Sequence, residues 1–288
     1  MNRSGYYFDL ADAPMPRFEL LSPEKYNRFT VQTSRGCPHL CEFCASSVLL
    51  TPKYSVKPVE KVIAEIRRIK SICEHPFIEF ADDNSFAARA HYKKLLAALR
   101  DEHVKWFTEA DISIADDPEL LDLMRESGCR QVLIGLESPT VAGLNGIEIR
   151  QNWKLKRQPS YLAAVRFIQS RGITVNGCFI FGMDGQTPAI FDDVVRFAEQ
   201  AGLYDVQVTV MTAFPGTPLY DRLEREGRLT EKRNWRKCTL FDVNYRPTHM
   251  TARELELGMI DMARRLYEPA FVESRRRTFK SRMRDDEN

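Results

Sequence analysis

Three cysteines crowd into eight residues within the run Thr33-Ser34-Arg35-Gly36-Cys37-Pro38-His39-Leu40-Cys41-Glu42-Phe43-Cys44, a C-x3-C-x2-C spacing. Three thiolates on one loop can hold three irons of a [4Fe–4S] cluster, whereas an electron-transfer cluster normally takes four cysteines. The fourth iron is then open to an exogenous ligand, and an open position is what separates a catalytic metal site from a closed structural one. The competing chemistry is a zinc site with His39 as fourth ligand, although the spacing departs from the paired C-x2-C pattern of zinc folds. Cys73, Cys129, Cys178 and Cys238 are scattered, and an odd total of seven reads as a metal site plus ordinary thiols, not a disulfide framework. Cys73, Cys129 and Cys178 lie in or beside apolar stretches and are expected in the core.

Carboxylates recur at Asp82-Asp83-Asn84, Glu109-Ala110-Asp111 and Glu137-Ser138-Pro139, and turn residues at Gly182-Met183-Asp184-Gly185 and Phe214-Pro215-Gly216. Each group follows a predicted strand. The strand candidates are 29–33, 77–81, 106–110, 131–136, 174–181 and 206–212, rich in β-branched and aromatic residues and apolar enough to be buried on both faces. Between them run amphipathic helical stretches, such as Val59, Val62, Ile63, Ile66 and Ile69 behind Pro58, or Tyr92, Leu95, Leu96 and Leu99. Asp117-Pro118 and Thr217-Pro218 are caps followed by first-turn prolines. Six βα units in series fit an open doubly wound sheet or a partial barrel. A barrel places its chemistry at the C-terminal ends of its strands, and all the polar groups above fall there, beginning with the cysteine loop.

This alternation divides the chain into a linker over 1–27, a core over 28–227, and a C-terminal helical extension over 228–288 that ends in a basic tail (Arg275, Arg276, Arg277, Lys280, Arg282, Arg284). The tail reads as a solvated helix face. The Pro-rich lead-in should pack on the surface, with Phe8, Leu10 and Phe18 to Leu21 forming exposed apolar area that a partner would cover. Of 288 residues 43% are hydrophobic and 28% charged, a globular composition. Lys+Arg less Asp+Glu is 42 − 40 = +2, which points away from nucleic acid as the main partner. No secretory signal and no run of ~20 apolar residues is present, so a cytoplasmic protein without a transmembrane segment is expected.

The cysteine run, with Phe43 just before its third cysteine and a strand before its first, resembles the radical S-adenosylmethionine (SAM) superfamily over about residues 28–227. That resemblance implies an α/β fold, a partial (β/α)6 TIM-like barrel. It implies further that Cys37, Cys41 and Cys44 bind a [4Fe–4S] cluster, that SAM chelates the open iron, and that reductive cleavage yields a 5′-deoxyadenosyl radical acting on an organic metabolite. By the same resemblance Asp82 and Asp83 would contact the SAM amino group, Glu137 a ribose or amino group, and the Gly182/Gly185 turn the adenine or methionine moiety. The stretches around Asp82, Glu137, Gly182 and Phe214-Pro215-Gly216-Thr217-Pro218-Leu219-Tyr220 are similar to the cobalamin-related branch, which contains methyltransferases and a ring-forming cyclase. The chain starts about a dozen residues before its Pro-rich lead-in, far short of the ~100 residues a domain needs. If function requires cobalamin, a separate cobalamin-binding chain or a longer native product is the expected supplier, next to an electron donor such as flavodoxin or ferredoxin and a small-molecule or lipid-like substrate. Two other readings are a tRNA methylthiotransferase-like enzyme, for which the scattered cysteines offer no second triplet, and a non-catalytic iron–sulfur or zinc protein.

Overall fold

Runs rich in Val, Ile and Phe can satisfy their backbone groups only against a neighbouring strand, and one face of each must be covered by a helix. In the computed structural model, which describes residues 8–46 and 53–285, this happens six times in one parallel sheet. A two-stranded excursion interrupts the first repeat. The chain runs β1 (Phe29–Val31), β2 (Ser34–Arg35), β3 (Ser55–Val56), α1 (Val59–Lys70), β4 (Phe77–Ser85), α2 (Arg89–Arg100), β5 (Lys105–Ala110), α3 (Pro118–Glu126) and β6 (Cys129–Glu137). It continues through α4 (Val141–Leu144), α5 (Trp153–Arg157), α6 (Tyr161–Ser170), β7 (Thr174–Phe181), α7 (Ile190–Ala201), β8 (Asp205–Val210), α8 (Pro218–Arg225), α9 (Ala252–Leu266) and α10 (Pro269–Asp285).

The sheet order is β1-β4-β5-β6-β7-β8, with β1 and β8 as unpaired edges, so the fold is a partial barrel open along one side. Alternation sorts the side chains. Ile78 and Phe80, Trp106, Val132 and Ile134, and Val175, Phe179 and Phe181 are buried under the helices. The intervening residues line the inner face, where the register sets Thr30 beside Glu79, Glu79 beside Phe107, and Leu133 beside Asn176. Cys129 is buried as expected, but Cys178 stands on the inner face and is only partly covered, as is Cys73.

Three expectations need correction. The lead-in is not an exposed apolar strip: Leu10 and Phe18 are buried, because short 3-10 turns at Leu10–Asp12 and Phe18–Leu20 tuck them in while Phe8 and Leu20 stay outside. The basic tail is not wholly solvated either. Arg275 of α10 is buried, with Nη1 donating to Leu203 O at 2.9 Å and Nη2 to Leu266 O at 2.9 Å, so one arginine staples the final helix to the barrel. Third, β4 runs on to Ser85, which puts Asp82, Asp83 and Asn84 inside the strand at a break in register between Phe80 and Ser85, not beyond its end.

The β2–β3 ladder pairs Ser34 with Val56 and Arg35 with Ser55, so the cysteine loop begins and ends at one hydrogen-bonded neck. Just behind that neck Lys57 N donates to Thr33 O at 2.8 Å, and Lys57 Nζ meets Glu65 of α1 at 2.8 and 3.0 Å, with side chains 5% and 3% exposed. Removing one partner leaves a buried charge uncompensated. We expect Lys57→Met to lower the unfolding free energy by about 3–5 kcal/mol in urea denaturation, and Lys57→Met/Glu65→Leu to recover most of that loss.

Candidate functional site

The cysteine loop is held by three consecutive residues of β4. Asp82 Oδ1 accepts from Thr33 N and Ser34 N, each at 2.8 Å, while Oδ2 accepts from the hydroxyls of Thr33, Ser85 (2.9 Å) and Tyr92 (3.0 Å). Asp83 takes Gly36 N at 2.8 Å and the Ser46 hydroxyl. Asn84 Nδ2 lies 3.5 Å from Cys37 Sγ and donates to Asp111 Oδ2 at 2.9 Å, while its Oδ1 accepts from Asp111 N. Both carboxylates expected to contact SAM hold the loop, Asp82 buried and accepting from five donors, Asp83 partly exposed.

On the other flank Glu42, inside the motif, is gripped by Arg222 of α8 at 2.6 and 3.0 Å. Arg222 also reaches Asp184 of the turn after β7 at 2.6 Å, so one guanidinium ties the cysteine loop, that turn and α8 together. Glu148 completes the frame by accepting from Leu40 N, Arg150 N, Gln151 N and Trp153 N. His39 pairs with Asp111 at 3.2 Å and stacks on Trp153 with ring centroids 4.3 Å apart. Asp111 engages only the Nε2 side of the His39 ring. Burial works against the ionised Asp111, yet His39, Ser113 and Asn84 together hold its carboxyl well below the usual range.

Glu137 closes β6 in the left-handed region at φ 61°, a conformation that costs a non-glycine residue about 1–2 kcal/mol. What holds it there is Lys154 of α5, whose Nζ donates to Glu137 Oε1 at 2.7 Å and to Gly135 O at 2.6 Å. Burial works against the charged form of Lys154, and the facing Glu137 carboxylate more than offsets it, so the ammonium holds its proton more tightly than usual. Gly135 is required beneath this pair, since a Cβ there would collide with Glu137 Oε1. The turn glycines are likewise explained within the chain: a Cβ on Gly182 would strike Tyr245 Oη, and one on Gly185 the Ala142 carbonyl.

Glu109 faces inward near these groups and has neither a hydrogen bond nor an ion pair among the described residues. Its side chain is solvent-accessible at the barrel mouth, yet crowding by neighbouring protein, then the like charges of Asp83, Glu79, Asp82 and Glu137, push its carboxyl up to about 7.

The three motif thiols are free of disulfides and share one loop; burial pushes Cys37 up and Cys41 up to about 12, partly offset by Lys154. Thiols so placed become thiolates only against a strong local cation, which an iron–sulfur cluster provides. Comparison with known proteins agrees with this chemistry. A model of the radical SAM superfamily matches residues 31–198, and one of a domain of unknown function (DUF4070) matches 217–288. The chain belongs to the radical SAM superfamily. As such it is a radical SAM enzyme, with the [4Fe–4S] cluster and SAM as family cofactors. It is 34% identical over 248 residues to an uncharacterized methyltransferase of Synechocystis sp., covering 83% of this chain and 45% of that protein. It is 33% identical over 236 residues to the hopanoid C-2 methylase of Rhodopseudomonas palustris, covering 78% of this chain and 43% of that one. The radical SAM chain thus spans less than half the length of either. The fold matches the radical SAM methyltransferase TsrM of Kitasatospora setae, with cobalamin and [4Fe–4S] cluster bound, at TM-score 0.58 and 19% identity over 70% of this chain and 41% of that one.

Sequence reasoning missed Lys154, Arg222 and Asn84. Asn84 lay beside two flagged acids, and Gly135 two residues before Glu137 hinted at something packed over the strand end; Arg222, one of two arginines on α8, carried no signal.

Two outcomes follow for this site. Asp82→Ala strands two buried N–H groups and should cost about 2–6 kcal/mol, one to three for each, with Asp82→Asn losing less because one carbonyl still accepts. Guanidinium melts of the three proteins check this. For Glu109, the folded state keeps a proton that the unfolded chain has released between about pH 4.5 and 7, so its contribution to stability falls as pH rises through that window. Glu109→Gln should therefore gain on wild type between pH 5 and pH 8 in urea midpoints, and parallel curves would show the residue to be unperturbed.

Proposed function

We propose that this chain is the radical-generating core of a methyltransferase, in which Cys37, Cys41 and Cys44 ligate the [4Fe–4S] cluster and Glu137 binds the ribose or amino group of SAM. The observation that carries the reading is the cysteine loop itself, clamped by Asp82, Asp83 and Asn84 onto the C-terminal face of an open parallel barrel. When bound, the cluster and SAM supply reductive cleavage of the sulfonium to methionine and a 5′-deoxyadenosyl radical. Asp82 and Asp83 act by positioning the loop. Lys154 fixes the rotamer of Glu137 and the backbone at Gly135, and the Gly182 turn, held by Gln186 Oε1 at 2.9 Å from Gly182 N, borders the adenine or methionine moiety.

The substrate class we infer is an apolar, lipid-like or polycyclic metabolite. The relative at 33% identity is a hopanoid methylase, and a groove of about 660 Å3 runs along β8 under α9, walled by Val208, Val210, Phe241, Met259, Ile260 and Tyr267. Transfer to such a molecule would draw on methylcobalamin. The described residues form the barrel, its hairpin and flanking helices, so a corrin-binding segment or chain would come from beyond them. Reducing equivalents would come from a flavodoxin- or ferredoxin-type donor in the cytoplasm. Among the described residues no helix is long and apolar enough to cross a membrane.

Anaerobic reconstitution should give about four irons per chain, lost in Cys37→Ala, Cys41→Ala and Cys44→Ala and kept in Cys73→Ala. With dithionite the protein should form 5′-deoxyadenosine. Glu137→Ala and Lys154→Met should keep their iron while weakening SAM binding roughly ten- to hundredfold, the worth of a charge-assisted hydrogen bond. Stoichiometric zinc without iron, or no 5′-deoxyadenosine, defeats the reading. A corrin spectrum that stays with the chain through gel filtration after loading with hydroxocobalamin would place that cofactor on these residues instead of on a partner.

A further inference from the structure

The segment that follows α4 is clasped directly to the outer side of the cysteine loop. Glu42 N donates to Ile147 O at 2.8 Å, Ile149 N to Leu40 O at 2.9 Å, and Cys41 forms an isolated bridge with Glu148. Over this junction lies a hollow of about 720 Å3, lined by Arg150 and Lys156 on one side and Arg222 and Arg225 of α8 on the other, with Glu42 at its floor. Its charges do not balance. Glu42 is consumed by Arg222, and Glu148 by four backbone N–H groups. Arg150, Lys156 and Arg225 have no acidic partner among the described residues, and Arg225 Nε rests on the Asp221 carbonyl. These three side chains give the rim a local surplus of positive charge. Ile149, 53% exposed, sits among them.

We propose that this rim is the docking face for a small acidic electron-carrier protein of the flavodoxin or ferredoxin kind. The inference rests on the reading above that Cys37, Cys41 and Cys44 hold the cluster. An electron for that cluster has to enter next to the cysteine loop, and from this hollow the route is a single residue long, through Glu42 to Cys41. A cationic rim around an exposed apolar centre is the complement of an acidic surface with an apolar middle, and opposite potentials steer encounter as well as orient it. The apolar centre and the adjacency to the thiols favour a protein donor over a nucleic acid, which the same cations would also attract.

Calorimetric titration of an oxidised bacterial flavodoxin into the full reconstituted chain tests this without any turnover. We expect binding at low salt that weakens on the order of tenfold by about 0.3 M NaCl and is lost in Arg150→Glu/Lys156→Glu/Arg225→Glu. Flavodoxin-driven 5′-deoxyadenosine formation should fall on the order of tenfold or more in that variant while dithionite-driven formation is unchanged. If the reversed protein does not fold, the Gln triple variant takes its place. Equal flavodoxin binding by wild type and variant, no binding by wild type, a parallel fall of the dithionite rate, or tRNA binding in place of flavodoxin each overturns the proposal. Absence of 5′-deoxyadenosine from wild type with dithionite defeats the SAM-cleavage reading instead, and the calorimetry still decides the docking face.

Discussion

A buried carboxylate has to stand where the chain leaves the sheet. β1 is three residues long and lies at an edge, so the backbone N–H groups of Thr33 and Ser34 run out of strand partners just as the cysteine loop begins. Orphaned N–H groups at that depth would cost about 1–3 kcal/mol each. Asp82 fills the gap with one oxygen, and anchors its other oxygen on Thr33, Ser85 and Tyr92 so that the carboxylate itself cannot swing away. Burial raises its affinity for a proton and the surrounding donors oppose that rise. The break in register between Phe80 and Ser85 is what lets three successive residues of one strand serve one loop. A regular strand would turn Asp82 and Asp83 to opposite faces and leave the second with nothing to hold.

The same face gathers more negative charge than it neutralises. Glu42 and Asp184 are answered by Arg222, Glu137 by Lys154, and Asp111 by His39 and Asn84. These pairs differ in kind. Arg222 is partly exposed and works as a tie between segments, whereas Lys154 is enclosed and its charge is supported chiefly by the facing Glu137. Glu109 faces the same interior with no hydrogen bond or cation of its own among the described residues, and desolvation, then the neighbouring like charges, raises its proton affinity. The carboxylates that looked alike as strand-end acids thus divide into clamps, a lysine-held carboxylate and an unpaired acid.

How much of this was legible follows from how far apart the interacting residues lie. The cysteine triplet is a local spacing and needs no fold to be read. The six strands were visible because burial on both faces writes itself as continuous β-branched runs, and the cap at Asp117-Pro118 because a cap is decided within three residues. Asp82 could be flagged as functional but not given its partners, which stand 48 and 49 residues upstream. The β2–β3 neck escaped notice since two-residue strands carry no periodicity. Arg275 was read as part of a solvated basic face and Lys154 was not singled out at all, and only the tertiary structure shows each one buried and answered by specific oxygens. Leu10 and Phe18 were misjudged for the converse reason, because a Pro-rich segment without periodicity can still bury single side chains through isolated 3-10 turns.

An open barrel leaves two strand edges to be dealt with, and the two are treated differently. Along β8 the C-terminal extension supplies partners for the edge: Tyr267 Oη donates to Val206 O at 2.7 Å, and Leu240 O accepts from Val210 N at 2.7 Å. Side chains and a loop thereby do what a further strand would do, without closing the ring. Had the ring been completed by strands, the inner face would be a filled core of packed side chains, as in eight-stranded barrels. Capping β8 from outside instead blunts its pairing groups and leaves the interior reachable beside Phe241 and Ile260, which remain exposed. Glu109 and Gln207, two polar residues of the inner strands, are both solvent-accessible, so the incompleteness of the barrel and the polar chemistry it can host go together.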